Sequence, residues 1–402
     1  MSRFRLYPTS GQEALLAEHC RHARFVWNLG LEQRLMWRRE RGPTPGYHGQ
    51  AAQLTEARRA EPWLAAGSQT VQQQALRDLD RAWTNFFAGT HGRPTWRRRG
   101  QHEGFRIVGP QASRFRQDNR RRSSVLIPKV GWVALRQTRE LPVAKSYRIT
   151  CDRSGRWHIA FAAVPDPISG PGTGDVVGID RGVTVAAALS TGELTSPNGL
   201  RPKESERLHR LQRRFARAQR GSNRREAVRL CIARIKARHA DRRKDWIEKT
   251  TTDLARRFDV IHVENLNVKA MTRSARGTAA APGRNVRQKA GLNRGILAAG
   301  WGLLLARLEH KAPGRVVKTN PAYTSLTCNA CGHCATDNCK SQAVFRCCAC
   351  GHQANADVNA ARNIAEGKTA VGRTVAARGD RAKSARSAKR EPQLATSSRD
   401  RQ

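Results

Sequence analysis

The sequence predicts an α+β protein built from more than one domain, and three observations support this. At 402 residues the chain is long enough for two or three domains. The spacing of its apolar residues is first helical, then strand-like, and then alternates between the two. Seven of its ten cysteines fall between Cys328 and Cys350, which predicts a small metal-held module near the end of the chain.

The first hundred residues predict one short strand followed by helices. Residues 1–10 contain the strand-like run RFRLYPT, and the apolar residues between Ala14 and Leu35 follow helical spacing. A Pro/Gly segment, RGPTPGYHG, interrupts this helix, and we expect helix to resume at Ser68. The apolar face of this later helix predicts a bundle core, and its polar face carries two arginines that could meet phosphate, Arg77 and Arg81.

A run of three arginines follows Trp96 in a predicted loop: Arg97, Arg98 and Arg99. Such a run is usually only a solvated face. The adjacent aromatic residue and the charge of the whole chain make contact with nucleic acid an equal alternative.

Residues 105 to 165 predict a small barrel or sandwich of short strands. The runs GFRIV, SSVLIP, GWVAL, SYRIT and WHIAFAAV are separated by turn residues. The segment PDPISGPGTG that follows them predicts a domain boundary.

The remainder of the chain alternates between strands and helices. DVVGIDRGVTVAAALSTGEL predicts two hairpin-linked strands, and residues 203–258 predict basic helices that break near RGSNRR. FDVIHVENL predicts a buried strand, WGLLLARLEHKA a helix and GRVVKT a further strand. Residues 272–296, rich in Gly, Ala and Arg, predict a mobile segment. Residues 367–402 predict a disordered basic tail because they contain few large apolar residues.

The formal charge of +42 predicts a polyanionic partner, and nucleic acid is the natural one. We find no apolar run of about 18 residues, no secretory signal and no lipidation motif, so we expect no membrane partner. A ribosome-like or chromatin-like basic protein is the alternative. The hydrophobic share of 39% and the nine tryptophans argue against it, because they predict real cores.

The cysteine pairs Cys328–Cys331 and Cys347–Cys350 predict a structural zinc site. Two C-x-x-C knuckles, 15 residues apart, supply four thiolates, and four ligands leave no open position for catalysis. Gly332 and Gly351 follow the knuckles, where positive φ is needed. Clustered cysteines also favour a reducing compartment. We expect three further cysteines to be free thiols, although their ligation stays open: Cys334, Cys339 and Cys348.

Three acids are candidates for a second metal centre. Asp180 closes the apolar run VVGI, and Glu264 follows the buried run VIHV, where an unpaired acid is costly. The spacing of DVNAARNI places Asp357 in the first turn of a helix, where the helix dipole alone could explain an acid. Together the three carboxylates suit two Mg²⁺ ions about 4 Å apart. One ion would activate water and the other would stabilise the leaving oxygen of a phosphodiester.

These residues resemble a known family. GIDRGVTVAAALSTG, IHVENLNVKAM and YTSLTCNACG…FRCCACGHQANADVNAARNI resemble the three RuvC motifs and the zinc ribbon of the TnpB proteins of bacterial insertion sequences. FRLYPTSGQEALL and LRDLDRAWTNFF resemble the N-terminal half of that family. The resemblance covers most of residues 1–365.

The resemblance implies an RNA-guided DNA endonuclease related to miniature type V CRISPR effectors. Its catalytic acids would be Asp180, Glu264 and Asp357, holding Mg²⁺, and its zinc ligands Cys328, Cys331, Cys347 and Cys350. The guide RNA would come from the end of the element's own transcript. The N-terminal half would recognise a short motif beside the double-stranded DNA target, and one site would cut both strands in turn. The protein would act in the bacterial cytoplasm, associated with the nucleoid.

The resemblance also implies an architecture. A wedge-like β-barrel would span residues 1–10 and 103–168, with an inserted helical recognition domain over 11–102. A RuvC-like, RNase H-like α/β domain would span 172–325 and 352–366, with a zinc ribbon inserted at 326–351 and the disordered tail at 367–402.

Two alternatives stay open. A guided DNA-binding protein that has lost cleavage would act as a repressor, and the complete acid set argues against it. A strand-joining transposase would act on element ends without a guide. The chain also departs from the family at several positions: Arg181 stands where Leu is common, Leu326 where Gln is common, and Asn355 and Ala356 replace an Asp-Arg pair. None of these removes a proposed ligand.

Overall fold

The computed structural model describes residues 2–38, 40, 42–341 and 343–367. All but the first residue of the predicted tail at 367–402 lies outside them. Strands and helices are both abundant, so the predicted mixed helix and strand content is confirmed. The elements of the first half are β1 Ser2–Tyr7, α1 Ser10–Leu35, α2 Tyr47–Ala60, α3 Pro62–Ala66, α4 Gln69–Phe87, β2 Gly104–Val108, β3 Phe115–Asn119, β4 Arg122–Ile127, β5 Gly131–Arg136, β6 Ser146–Cys151 and β7 Trp157–Phe161.

The first half contains a seven-stranded antiparallel sheet in the order β2-β6-β7-β1-β5-β4-β3. Within β1, Ser2 to Arg5 pair with β7, whereas Leu6 and Tyr7 pair with β5. The strands on either side of β1 in this order share one hydrophobic core. α1 and α4 contribute residues such as Leu16 and Val71 to the same core. β2 and β3 are the edges of this order, so closure into a barrel stays a prediction.

The helices α1 to α4 lie between β1 and β2 in the chain, and two details differ from expectation. α2 and α3 form within the stretch that we expect to be irregular before Ser68. β3 is a polar strand, and its sequence FRQDN has no apolar alternation that would reveal it. It exists because it pairs with β4, where Phe115 lies opposite Val125.

The second half contains β8 Val176–Asp180, β9 Ala187–Leu189, β10 Leu194–Thr195, α5 Pro202–Arg217, α6 Asn223–Arg257, β11 Val260–Glu264, α7 Val268–Met271, α8 Val286–Ala299, α9 Trp301–Lys311, β12 Val316–Thr319, β13 Val344–Arg346, β14 Gln353–Asn355 and α10 Ala356–Ala365. The strands and helices expected here are present, including the break between α5 and α6. The expectation of a mobile segment at 272–296 is wrong in part, because α8 begins at Val286 and packs through Ile296.

Five strands of this half form a sheet in the order β10-β9-β8-β11-β12. β8, β11 and β12 run parallel, and β9 is antiparallel to β8. Val177 and Ile179 of β8 pack with α6 and α9 on one face. Alternate residues of a strand point to opposite faces, so Gly178 and Asp180 belong to the other face, against which α10 packs.

Candidate functional site

The carboxyl ends of β8 and β11 bring two of the predicted acids to neighbouring positions. The strands are parallel and Val263 lies opposite Ile179. Asp180 follows Ile179 and ends β8, and Glu264 follows Val263 and ends β11, so the two acids lie in the same register. Registered residues of adjacent strands point to the same face of a sheet. The two carboxylates thus share one face and one edge.

Helix α10 lies directly on this face, and a glycine makes the close approach possible. A Cβ built on Gly178 would stand 2.0 Å from the carbonyl oxygen of Ala361 and 2.5 Å from the amide nitrogen of Ala365. Only a residue without a side chain fits there. Asp357 lies one helical turn before Ala361, so the third acid belongs to the element that covers Gly178.

The sequence explains why Asp357 occupies the first turn of α10. The Asn355 side chain accepts hydrogen bonds from the N–H groups of Asp357 and Val358, at 3.0 and 3.2 Å. This is a helix N-cap, and it begins the helix one residue before Asp357. The predicted position of Asp357 in the first helical turn is confirmed.

The acids are partly desolvated. Burial raises the pKa of the Asp357 carboxyl above its usual range, and Glu264 is only 7% exposed. Desolvation makes a carboxylate charge costly, so a nearby cation would stabilise it. Carboxylate oxygens are the hard donors that suit Mg²⁺, and in this respect the residues fit the expected ion. Among the described residues, however, the three acids are not drawn into a single group close enough to share one ion.

A fourth charged residue, Arg181, lies beside the acids. It is 3% exposed, and its Nη2 donates to the carbonyl oxygen of Glu264. Burial lowers the pKa of Arg181, while the carboxylates of Glu264 and Asp180 act in the opposite direction. The sequence marked this residue only as a departure from a family pattern. No sequence signal showed that it would be buried against Glu264.

Four cysteines form a compact cluster at the second candidate centre. The Sγ atoms of Cys328, Cys331, Cys347 and Cys350 lie within 4.8 Å of one another. Cys328 Sγ is 3.8 Å from Cys350 Sγ, and Cys331 Sγ is 3.6 Å from Cys347 Sγ. A tetrahedron of thiolates around zinc at about 2.3 Å requires sulfur separations of about 3.8 Å. The cluster therefore fits zinc.

The two knuckles have the same local geometry. Gly332 and Gly351 have φ of 74° and 73°, and their N–H groups donate to the carbonyl oxygens of Cys328 and Cys347. The predicted need for positive φ is confirmed. Burial raises the pKa of the Cys347 thiol, but hydrogen bonds from the backbone N–H groups of Cys350 and Ala349 and from the thiols of Cys331 and Cys350 together outweigh burial and lower this pKa to about 7. Burial raises the pKa of the Cys328 thiol, so the thiolate that binds metal is favoured first at Cys347.

The three additional cysteines lie outside this cluster. Cys339 Sγ donates to the carbonyl oxygen of Ser325 at 3.0 Å. Cys348 Sγ is 3.3 Å from His333 Nε2, and Cys334 pairs through its backbone with Thr327. That all three are free thiols stays a prediction.

Two buried asparagines of α10 attach this helix to the first knuckle. Asn359 accepts from the N–H of Asn329 at 3.0 Å and donates to the carbonyl oxygen of Thr327 at 2.8 Å. Asn363 donates to the carbonyl oxygens of Thr324 and Thr327 at 2.9 and 2.7 Å. The cysteine module and the helix that carries Asp357 are therefore held together by buried hydrogen bonds.

The predicted nucleic-acid contacts divide into two kinds. Arg77, Arg81, Arg98 and Arg99 are exposed, and the guanidinium of Arg77 lies 4.9 Å from the ring centre of Tyr47. Arg97 differs because its guanidinium lies 3.8 Å from the ring centre of Trp27.

Arg97 has a structural role in addition to any contact with nucleic acid. Its backbone N–H donates to Asn28, and its carbonyl oxygen accepts from the same side chain. Burial lowers the pKa of Arg97 to about 10. The residue therefore anchors the loop after α4 to α1.

A further basic surface was not predicted. An open cleft of about 420 Å³ is lined by Arg120, Arg121, Arg136, Gln137, Thr138 and Arg139. We call it the arginine cleft. In addition, Arg122 lies directly opposite Arg136 in the β4–β5 ladder, although like charges in that position repel. The sequence shows the run Arg120–Arg122, but only strand pairing adds Arg136.

In the part of the chain that the structure describes, no helix is both long enough and apolar enough to cross a membrane.

Three family models match the chain. One described as "Probable transposase" matches residues 159–275, and one described as "Cas12f1-like, TNB domain" matches residues 301–364. A helix-turn-helix model matches residues 2–43, where the described residues include β1 and helix α1.

Similar proteins cover nearly the whole chain. A protein of Escherichia coli (strain K12) named "Putative RNA-guided DNA endonuclease InsQ" is 36% identical over 97% of this chain and 96% of its own length. A "Putative RNA-guided DNA endonuclease" of Streptomyces pristinaespiralis is 32% identical over 98% of this chain and 96% of its own length. A cryo-EM structure of a Cas12f1-sgRNA-target DNA complex is similar with a TM-score of 0.53 and 14% identity, over 88% of this chain and 82% of that one. This last similarity shows a shared mixed α/β fold.

Proposed function

The chain belongs to the TnpB family, and from this premise we propose that it is an RNA-guided DNA endonuclease with a single RuvC-like active site. Its partners would be a guide RNA and a double-stranded DNA target. The reaction would be hydrolysis of phosphodiester bonds beside a short recognition motif, at the acids Asp180, Glu264 and Asp357.

One observation carries the proposal. Asp180 and Glu264 occupy the registered ends of two adjacent parallel strands, on the face covered by the helix that bears Asp357. Ligands of open α/β sheets bind outside the carboxyl ends of the strands. A site of this kind is acidic in a chain of charge +42, which supports a metal-dependent reaction on a polyanion.

The acids would hold two Mg²⁺ ions. When bound, the ions would supply Lewis-acid activation of water and charge stabilisation at the leaving oxygen. The chain's own contribution is to hold three carboxylates that are at least partly buried on rigid elements. Asp180 is paired with Ala188 of β9 and Glu264 with Thr319 of β12, and Asp357 is held by the Asn355 cap. We expect bound metal and substrate to draw the three carboxylates together.

The cysteine cluster would hold one structural Zn²⁺. Since Asn359 and Asn363 tie α10 to the first knuckle, zinc would brace the position of Asp357 without taking part in the chemistry. Loss of zinc should therefore reduce cleavage indirectly.

The basic surfaces would hold the nucleic acids. Guanidinium groups lie at two places on a chain whose net charge is +42. They belong to the arginine cleft and to the exposed residues Arg77, Arg81, Arg98 and Arg99. Guanidinium groups bind phosphate in a bidentate fashion and release counterions on binding. The proposal also includes the domain boundaries. The β-barrel would span residues 1–10 and 103–168, and the helical recognition domain residues 11–102. The RuvC-like domain would span residues 172–325 and 352–366, and the zinc ribbon residues 326–351.

Replacement of Asp180 by alanine tests the function. The variant is purified with its copurifying RNA, whose sequence identifies the guide and the matched target. With Mg²⁺, the parent should cut the target, and Asp180→Ala should bind it without cutting. Asp245→Ala, an exposed acid paired with Lys249 on α6, is the matched control and should cut normally.

Three outcomes would contradict the proposal. Target cleavage by the Asp180→Ala variant would show that the acid is not catalytic. Tight target binding without cleavage by the parent chain would favour a guided repressor. Joined strands formed from element ends without guide RNA would favour a transposase.

A further inference from the structure

Arg181 connects the two strand ends that carry the proposed acids. Its guanidinium donates through Nη2 to the carbonyl oxygen of Glu264, and its backbone N–H donates to Glu264 Oε2 at 3.4 Å. Both the backbone and the carboxylate of Glu264 are therefore bound to the residue that directly follows Asp180.

Hydrogen bonds of the guanidinium do not by themselves explain why this charge is buried. Within the described structure, Arg181 Nε and Nη1 are buried and have no hydrogen-bond partner. Burial of a charged group with unpaired donors is costly, and an apolar side chain of similar volume is often as stable or more stable. The neighbouring carboxylates offset part of this cost through their opposite charge.

The segment after Arg181 is fixed as well. The indole N–H of Trp301, a residue 5% exposed, donates to the carbonyl oxygen of Gly182 at 3.1 Å. Arg181 therefore has little freedom to leave its position when a cation binds to the site or leaves it.

We propose that Arg181 is a positioning residue with two effects: it holds Glu264 beside Asp180, and its fixed positive charge weakens the binding of hard divalent cations at this edge of the sheet. The inference rests on the proposed function. The two effects have opposite signs. Removal of the side chain should tighten cation binding, because a repulsive charge is lost. It should also slow cleavage, because the guanidinium no longer holds the backbone carbonyl of Glu264, although the backbone N–H of residue 181 still donates to the carboxylate.

The test compares Arg181→Met with Arg181→Lys in the full chain. Mn²⁺ binding is measured by electron paramagnetic resonance without nucleic acid, and single-turnover cleavage is measured against Mg²⁺ concentration with guide and target. Arg181→Met should bind Mn²⁺ about three- to tenfold more tightly and cleave about tenfold more slowly at saturating Mg²⁺. Arg181→Lys keeps the charge, so its Mn²⁺ affinity should stay near that of the parent while cleavage is still reduced.

Two further variants separate the possible failures. Arg213→Met, at an exposed position of α5, is the matched control and should change neither measurement. Asp180→Ala should abolish Mn²⁺ binding, so that the spectrum of free Mn²⁺ stays at full intensity; if Mn²⁺ still binds, the proposed metal site fails, and this inference fails with it. If Asp180→Ala loses Mn²⁺ binding but Arg181→Met leaves Mn²⁺ affinity unchanged, only the inference is overturned. Weaker binding, slower cleavage and a lower melting temperature together in Arg181→Met would show a purely structural role and would also overturn it.

Discussion

Replacement of Gly178 by alanine would force α10 away from β8. The new Cβ would stand 2.0 Å from the carbonyl oxygen of Ala361, whereas an ordinary contact begins at 3.4 Å. The helix must therefore retreat by about 1.4 Å. The opposing atoms of Ala361 and Ala365 are partly backbone, so no side-chain rotation can relieve the contact. Overpacking of this kind costs about 1–3 kcal/mol of stability.

The reaction should also become slower, by an amount comparable in free energy to the loss of stability. α10 carries Asp357, and a misplacement of about 1 Å at a reacting group can cost about 100-fold in rate. We expect Gly178→Ala to cleave about 100-fold more slowly at saturating Mg²⁺, with guide RNA binding unchanged. The assay is single-turnover cleavage, accompanied by hydrogen exchange of the amides of residues 356–365.

The matched control is Gly302→Ala. Gly302 lies on the exposed side of α9, and a Cβ there would meet nothing within 4 Å. This variant should cleave at the parent rate. If Gly178→Ala also cleaves at the parent rate, with unchanged exchange protection in α10, the close contact between α10 and β8 does not position Asp357 and the reasoning is refuted.

Three other predictions concern the zinc module, its attachment to α10 and the arginine cleft. Cys347→Ser should reduce the zinc content from about one ion per chain to none, measured by atomic emission; a full ion would contradict the four-thiolate site. Asn359→Ala should lower the free energy of unfolding of this region by about 1–3 kcal/mol, because the Asn329 N–H loses its acceptor; an unchanged midpoint in chemical denaturation would disagree. The double variant Arg121→Glu, Arg136→Glu should bind guide RNA more weakly and reduce the slope of log K against log salt by about 2; an unchanged slope would show that the cleft does not contact phosphate.

Much of the local structure was predictable because it depends on local spacing. The apolar periods of β8, β11 and α9 identify these elements, and the start of α10 follows from its apolar spacing. The cysteine spacing and the glycines after each knuckle predict a metal module, because four thiolates at those intervals can surround one ion.

Elements stabilised by distant partners were harder to predict. β3 is polar and depends on β4 for its pairing. α8 is stabilised by packing through Ile296 and Ala299 rather than by a clear apolar period of its own. The arginine cleft requires β5 to bring Arg136 opposite Arg122.

By itself, the sequence determined which residues could carry the chemistry: acids that close apolar runs, and cysteines at zinc-ligand spacing. Only the tertiary structure decided that Asp180 and Glu264 end neighbouring parallel strands, that α10 covers their face through Gly178, and that Arg181 lies buried between the strand ends. The physical reason is the range of the forces. Side-chain periodicity acts over a few residues, whereas strand order and helix packing depend on contacts between segments more than eighty residues apart.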